Sequence, residues 1–106
     1  MNYKLVVTKR AKQDRDRAFE WYRINFSQEF AARWYDGIAQ AIESLRDSPT
    51  RCHKAHENDR FSFELYELLY GPRRNKHRIL FRLDRKRILI LHIRHSAQRD
   101  IAEDDL

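Results

Sequence analysis

Two apolar runs in the second half of the chain constrain the fold most. Residues 77–83 read HRILFRL, residues 87–95 read RILILHIRH, and the charged bend 84–86 joins them. Both runs are rich in branched aliphatic side chains, which predicts the two strands of an antiparallel hairpin. In the second run both alternating sets of side chains are mostly apolar. We therefore expect that strand to be buried on both sides, at the centre of the sheet or by a partner.

The first half of the chain shows helical spacing instead. Apolar residues recur at i, i+3, i+4 and i+7 after Ser27, which predicts a helix that ends at Ser48-Pro49, since proline disfavours helical backbone in the residue before it. A helix is also predicted after Thr8, because threonine and serine are suitable N-caps. Its apolar positions, among them Tyr22 and Phe26, are assigned to the core.

The remaining segments complete the order of elements. Residues 3–8 read YKLVVT and predict a first strand, residues 49–60 are polar and predict a loop, and residues 61–71 predict another strand. The order is therefore β-α-α-β-β-β. This order predicts an α+β fold in which a helical hairpin packs on one face of a small antiparallel sheet.

Alternation along residues 77–83 divides their side chains between two sheet faces. Ile79, Phe81 and Leu83 share one face, and we expect the helices to cover it. Arg78, Leu80 and Arg82 share the other face, which we expect to be open. An open face with arginines around an apolar residue would suit a polyanion or an acidic partner.

Composition sets wider limits. The 106 residues fit one domain, 1–106, with a formal net charge of +6, which favours nucleic acid or an acidic protein as partner. The single cysteine, Cys52, favours a reducing cytoplasm. The longest apolar run falls short of the ~20 residues of a membrane-spanning helix, and the first residues lack the pattern of a secretory signal.

The segment ELLYGPRRNKHRILFRLDRKRILILHIRHSAQRDI resembles the RelE/ParE superfamily of toxins from type II toxin–antitoxin modules. The resemblance rests on Leu68–Gly71, on the strand His77–Phe81 and on Arg94-His95-Ser96 after the final strand. It implies a small basic bacterial or archaeal protein that inhibits growth until an acidic antitoxin wraps it. Operator DNA would be bound only through the antitoxin complex.

The superfamily contains two mechanisms. RelE-like members cut mRNA on the ribosome without a metal or cofactor, whereas ParE-like members inhibit DNA gyrase and are not nucleases. Our expectation leans towards ribosome-dependent mRNA cleavage. The alternatives are a non-enzymatic gyrase inhibitor, or an inactive or regulatory homologue.

The resemblance also implies candidate catalytic residues. RNA cleavage needs a proton donor and acceptor together with cations on the phosphate. By motif position these are Arg78, His95 and Arg99, with Glu67 as a weaker partner for His95. The sequence departs from the RelE pattern at two places: glutamates replace the lysines expected on the second strand, and no aromatic residue follows Ser96.

Further basic residues are candidates for contacts with nucleic acid or a partner. They are Lys54, His56, Arg73, Arg74, Lys76, Arg82 and Arg94. We expect Glu64 and Glu67 to pair with Arg73, Arg74 or Arg82 across the sheet. Cys52, His53 and His56 lie close together, but a structural zinc site usually needs a second ligand pair, so we predict no metal.

Overall fold

The computed structural model describes residues 3–72, 76–102 and 105. The helices are α1 (Lys9–Asn25) and α2 (Gln28–Glu43). The strands are β1 (Lys4–Val7), β2 (His53–Lys54), β3 (Tyr66–Tyr70), β4 (His77–Asp84) and β5 (Arg87–His95). Short 3₁₀ turns span Ser44–Arg46, Pro49–Arg51 and Asn58–Arg60. The strand order in the sheet is β1-β5-β4-β3-β2.

Both predicted helix starts are confirmed. The Thr8 hydroxyl accepts the Ala11 N–H at 3.2 Å, and the Ser27 hydroxyl accepts the Phe30 N–H at 3.0 Å. Each bond satisfies an amide that the first turn of a helix leaves without a partner. Helix α2 ends at Glu43, before the predicted stop, and continues into a 3₁₀ turn. Neither helix, as far as the structure describes them, is long and apolar enough to cross a bilayer.

The α+β class and the helical hairpin on one sheet face are confirmed, but the sheet is mixed. β2 to β5 are antiparallel neighbours, whereas β1 pairs in parallel with β5. Strands joined by a tight hairpin must run antiparallel, but β1 is separated from β5 by both helices and has no such constraint. β5 lies between β1 and β4, so of the two alternatives, a position inside the sheet or cover by a partner, the structure shows the first.

The segment between α2 and β4 differs from the prediction. Strand β3 begins only at Tyr66, and the predicted loop contains the two-residue strand β2. Residues 61–65 leave the sheet because Phe61, Phe63 and Leu65 pack onto its face instead of alternating between the two faces. The apolar spacing in this segment therefore reflects side chains that pack onto the sheet, not a strand that pairs within it.

A bulge interrupts the pairing of β4 with β5. Leu80 pairs with His92 and Phe81 with Ile90, which leaves Leu91 as an extra residue in β5. One extra residue reverses which face the following side chains occupy. Ile93 consequently joins Ile88 and Ile90 in the helix-side core, whereas simple alternation had placed it on the other face.

The prediction that the second face is open is wrong. Leu80 is fully buried there, in a small apolar cluster with Ala55, Leu65 and Ile101. Arg78 is also buried on that face. The segment before β3 and the one after β5 supply the cover. Both segments carry apolar side chains, which exclude water from this face as the helices exclude it from the opposite face.

Candidate functional site

A cleft of about 630 Å³ lies between α1 and the adjoining ends of β4 and β5. Its size falls within the ~300–1,000 Å³ that is usual for binding sites. The α1 side contributes Arg10, Asp14, Arg17, Ala18, Trp21, Tyr22 and Phe26. The sheet side contributes His77, Ile93, Arg94, His95, Ala97 and Gln98.

Two histidines meet across the sheet at one end of this cleft. His77 and His95 are cross-strand partners, and their rings contact edge to face with centroids 5.2 Å apart. The Trp34 indole N–H donates to His77 Nδ1 at 3.4 Å, and the Ala97 amide donates to His95 Nδ1 at 3.0 Å. When Nδ1 accepts a hydrogen bond, a neutral ring carries its proton on Nε2. Both imidazoles are thus held in one tautomer.

Large aromatic side chains line the α1 side of the cleft. Trp21 is 54% exposed and Phe26 is 52% exposed, whereas the neighbouring Tyr22 is buried. The prediction that Phe26 belongs to the core is wrong: it caps the C-terminal end of α1, and its ring contacts the rings of Trp21 and Phe30. Its helical spacing could not show how much of the ring is exposed.

An ion network occupies the opposite face of the sheet and consists of Glu57, Arg78, Glu67 and His53. Arg78 Nη1 and Nη2 donate to the two carboxylate oxygens of Glu57 at 2.9 and 2.5 Å, and Arg78 Nε donates to Glu67. His53 Nε2 lies 2.8 Å from the other Glu67 oxygen. Among the described residues Glu67 therefore pairs with Arg78 and His53, not with the predicted Arg82, whereas Arg73 and Arg74 lie outside the described residues.

Burial and hydrogen bonding act against each other in this network. Burial alone would raise the pKa of Glu57, but bonds from Arg78 and from the Ile101 amide outweigh it and lower that pKa to about 2. Burial alone would lower the pKa of Arg78, and its bonds to Glu57 and Glu67 raise it instead. Glu57 and Arg78 are therefore both charged at neutral pH.

The catalytic candidates do not converge. Arg78 pairs with Arg94 across the ladder, and His77 pairs with His95, so Arg78 and His95 lie on opposite faces of the sheet. Glu67 lies on the Arg78 face, where it bonds to Arg78. Arg99 forms a two-bond ion pair with Asp105, 2.9 Å for each bond. His95 is the one candidate of the four that lines the cleft.

The sequence matches the family model described as ParE toxin of type II toxin-antitoxin system, parDE, over residues 5–100. The chain belongs to the ParE toxin family.

Structural comparison agrees with this assignment at the level of the fold. A chain titled "Chromosomal ParDE TA system from P. aeruginosa" superposes with a TM-score of 0.71 at 20% sequence identity. The alignment covers 88% of the present chain and 95% of that chain. No curated protein matches the sequence. The present chain is thus a toxin of a type II toxin–antitoxin system, and such a system implies a cognate antitoxin.

Three of the basic residues predicted as contacts already have partners within this ParE-family toxin. Lys54 pairs with Glu64 at 3.3 Å, and His56 pairs with Asp100 at 2.5 Å. Arg82 lies over the Phe63 ring, 4.4 Å from its centroid.

The remaining described basic candidates, Lys76 and Arg94, differ in exposure. Lys76 is half-buried beside the start of β4, and Arg94 is buried at the cleft. Arg73 and Arg74 lie outside the described residues.

A group of side chains in the described part of the toxin could offer metal ligands. Ligand atoms of His56, Glu57 and Asp100 lie within 4.8 Å of one another. However, Glu57 already accepts bonds from Arg78 and the Ile101 amide, and His56 is bonded to Asp100. A cation would have to displace these partners.

Sequence analysis missed most of the cleft. Trp21, Arg10 and Arg17 lie between the apolar positions of α1 and look like ordinary surface residues in the sequence. His77 was noticed only as the start of a strand motif. The sequence signal that could have indicated this surface is Trp21, an aromatic residue outside the apolar positions of α1 and one turn after Arg17.

Proposed function

We propose that this ParE-family toxin inhibits DNA gyrase by surface contact and does not cut mRNA. The ParE-family match supports the proposal, because ParE-like members of the superfamily are the gyrase inhibitors. One structural observation carries it further: Arg78 and His95 lie on opposite sheet faces. The expectation of a RelE-like nuclease had depended on Arg78, His95 and Arg99 converging to serve the acid/base and phosphate-binding roles.

Chemical requirements favour the same conclusion. A proton-transfer group and a phosphate-binding cation must contact neighbouring atoms of one substrate, within hydrogen-bond reach of about 3 Å. Each of the three guanidinium nitrogens of Arg78 donates to a carboxylate. Freeing it for phosphate would leave Glu57 buried and unpaired, at a cost of about 3–5 kcal/mol. A surface inhibitor needs no such rearrangement.

The proposal also specifies the partners of the toxin and the compartment in which it acts. The antitoxin would be an acidic protein that wraps the toxin, and operator DNA would be bound through the complex of the two. The target would be gyrase rather than the ribosome. Since gyrase acts on intracellular DNA, the toxin would act in the cytoplasm.

The test separates the two mechanisms. Toxin released from its antitoxin is added to purified gyrase with relaxed plasmid, and in parallel to a ribosome-dependent mRNA cleavage reaction. We expect supercoiling to be inhibited and mRNA to remain intact. Cleavage that disappears in His95→Ala but persists in the neighbouring Ser96→Ala would overturn the proposal in favour of the nuclease.

A further inference from the structure

The cleft combines exposed apolar side chains with an excess of positive charge. Arg10, Arg17 and Arg94 line it, and its one carboxylate among the described lining residues is Asp14. Asp14 is already bonded to His92 at 2.9 Å, to the Ile93 amide at 3.1 Å and to Arg10 at 3.4 Å.

The positive charge at the sheet side of the cleft is only partly balanced. Arg94 is buried, and its Nη2 donates to the Arg99 carbonyl at 3.0 Å. Its Nε has no hydrogen-bond partner among the residues that the structure describes. Its cross-strand neighbour is another arginine, Arg78, whose carboxylate partners are Glu57 and Glu67. A carboxylate from outside would improve the balance of charge here.

The apolar part of the surface extends beyond the cleft. Trp21 and Phe26 line it, and Ile24, one turn from Trp21, is 66% exposed. Aromatic residues and arginines are enriched at the centres of protein–protein interfaces, and this surface has the same composition. A second copy of this chain is a poor occupant, since the chain carries a net charge of +6 and would bring cations to cations.

The free edge of β5 beside the cleft is closed to strand addition. The Ile93 amide is bonded to the Asp14 carboxylate, and the His95 amide is bonded to Gln98 Oε1 at 2.7 Å. A partner strand would need these amides for its own backbone. The occupant must therefore bind through side chains: an apolar anchor against Trp21 and carboxylates towards the arginines.

We infer that this cleft is the docking site for an acidic segment of gyrase that carries an apolar anchor residue. The inference rests on the proposed function, because an inhibitor that acts by contact needs an exposed surface for its target. Together with the adjoining Ile24, the cleft joins the exposed apolar area of Trp21 and Phe26 to positive charge. Opposite charges also steer association, so binding to gyrase should weaken as salt rises.

The experiment compares cleft variants with controls matched in kind and exposure. Trp21→Ala and Arg17→Glu alter the cleft. Lys12→Glu makes the same charge change at an exposed α1 position that does not line the cleft, and Leu69→Ala removes an apolar side chain exposed on β3. Binding of each toxin variant to immobilised gyrase and to the cognate antitoxin is measured by surface plasmon resonance, together with inhibition of supercoiling.

We expect both cleft variants to weaken gyrase binding by at least about tenfold and to lose inhibition in proportion, with both controls near wild type. Simultaneous loss of antitoxin binding would agree with the inference and would mean that the antitoxin covers the same cleft. Loss of antitoxin binding alone, or unchanged gyrase binding, would overturn it. If wild-type toxin fails to bind gyrase at all, the proposed function itself is wrong, and that result differs from every variant effect.

Discussion

Between the helices and the sheet, Ile79, Phe81 and Ile90 lie in an apolar core, whereas on the other face Arg78 and Glu57 lie equally deep. The helix side excludes water with branched and aromatic side chains from α1 and α2. On the second face two irregular segments exclude water, and the charges of Arg78 and Glu57 can be buried there because each has an oppositely charged partner. The difference teaches that a deeply buried arginine in such a sheet need not be a catalytic group: here it holds irregular segments in place.

The largest expected effect breaks the ion network. Glu57→Ala would leave Arg78 buried with one carboxylate partner instead of two, and we expect the free energy of unfolding to fall by about 3–5 kcal/mol. Urea denaturation of antitoxin-free toxin measures it. Glu64→Ala is the matched control, because that exposed carboxylate pairs with Lys54 at the surface and should cost about 1 kcal/mol or less. Equal effects of the two changes would mean that the buried network stabilises the fold no more than an exposed ion pair does.

A second pair of variants asks whether the second face is packed as tightly as the first. Ile79→Ala and Leu80→Ala truncate neighbouring residues of β4 that point to opposite faces, and both side chains are fully buried. We expect each to lower the free energy of unfolding by about 2–5 kcal/mol. A loss below about 1 kcal/mol for Leu80 alone would show that the irregular cover packs loosely, and the comparison of the faces would need revision.

The network should also appear in the acid dependence of stability. The Glu57 pKa falls from an ordinary 4.5 to about 2 in the folded toxin. Its contribution is therefore complete above pH 4.5 and is lost as the pH falls from 4.5 towards 2. We expect Glu57→Gln to be less stable at pH 7 and to lose less further stability across that interval. Urea midpoints at pH 7, 5, 4 and 3 measure the change, and parallel curves for variant and wild type would contradict it.

The smallest expected effect concerns the cleft. Trp21 is largely exposed, so Trp21→Ala should change the free energy of unfolding by about 1 kcal/mol or less, whereas truncation of buried Trp34 should cost about 3–5 kcal/mol. Thermal unfolding of both variants tests this contrast. A large loss at Trp21 would assign it to the core and weaken the docking inference.

Local signals predicted the helices well and the sheet only in outline. Thr8 and Ser27 cap helices through bonds to amides three residues away, which a sequence pattern can reveal. The bulge at Leu91 could not be predicted, because it depends on how two strands fit together. Because that bulge determines which sheet face His95 occupies, the sequence could not show that His95 and Arg78 lie on opposite faces.

The ion network escaped prediction for a related reason. Glu57 lies in a polar, aperiodic segment that reads as an exposed loop, yet it is fully buried. Its partner Arg78 had seemed to face solvent. Only the tertiary path of residues 55–65 brings the two together, and no local propensity encodes that path.

The parallel pairing of β1 with β5 has a consequence for the timing of synthesis. Lys4 pairs with Arg87, so β1 leaves the ribosome long before its neighbour in the sheet exists. The helices can form early because their contacts are local, but the sheet cannot close until β5 has been translated. The cleft contains the end of β5, so it is assembled among the last parts of the molecule. The toxin therefore cannot present a complete cleft until nearly all of the described chain has been translated.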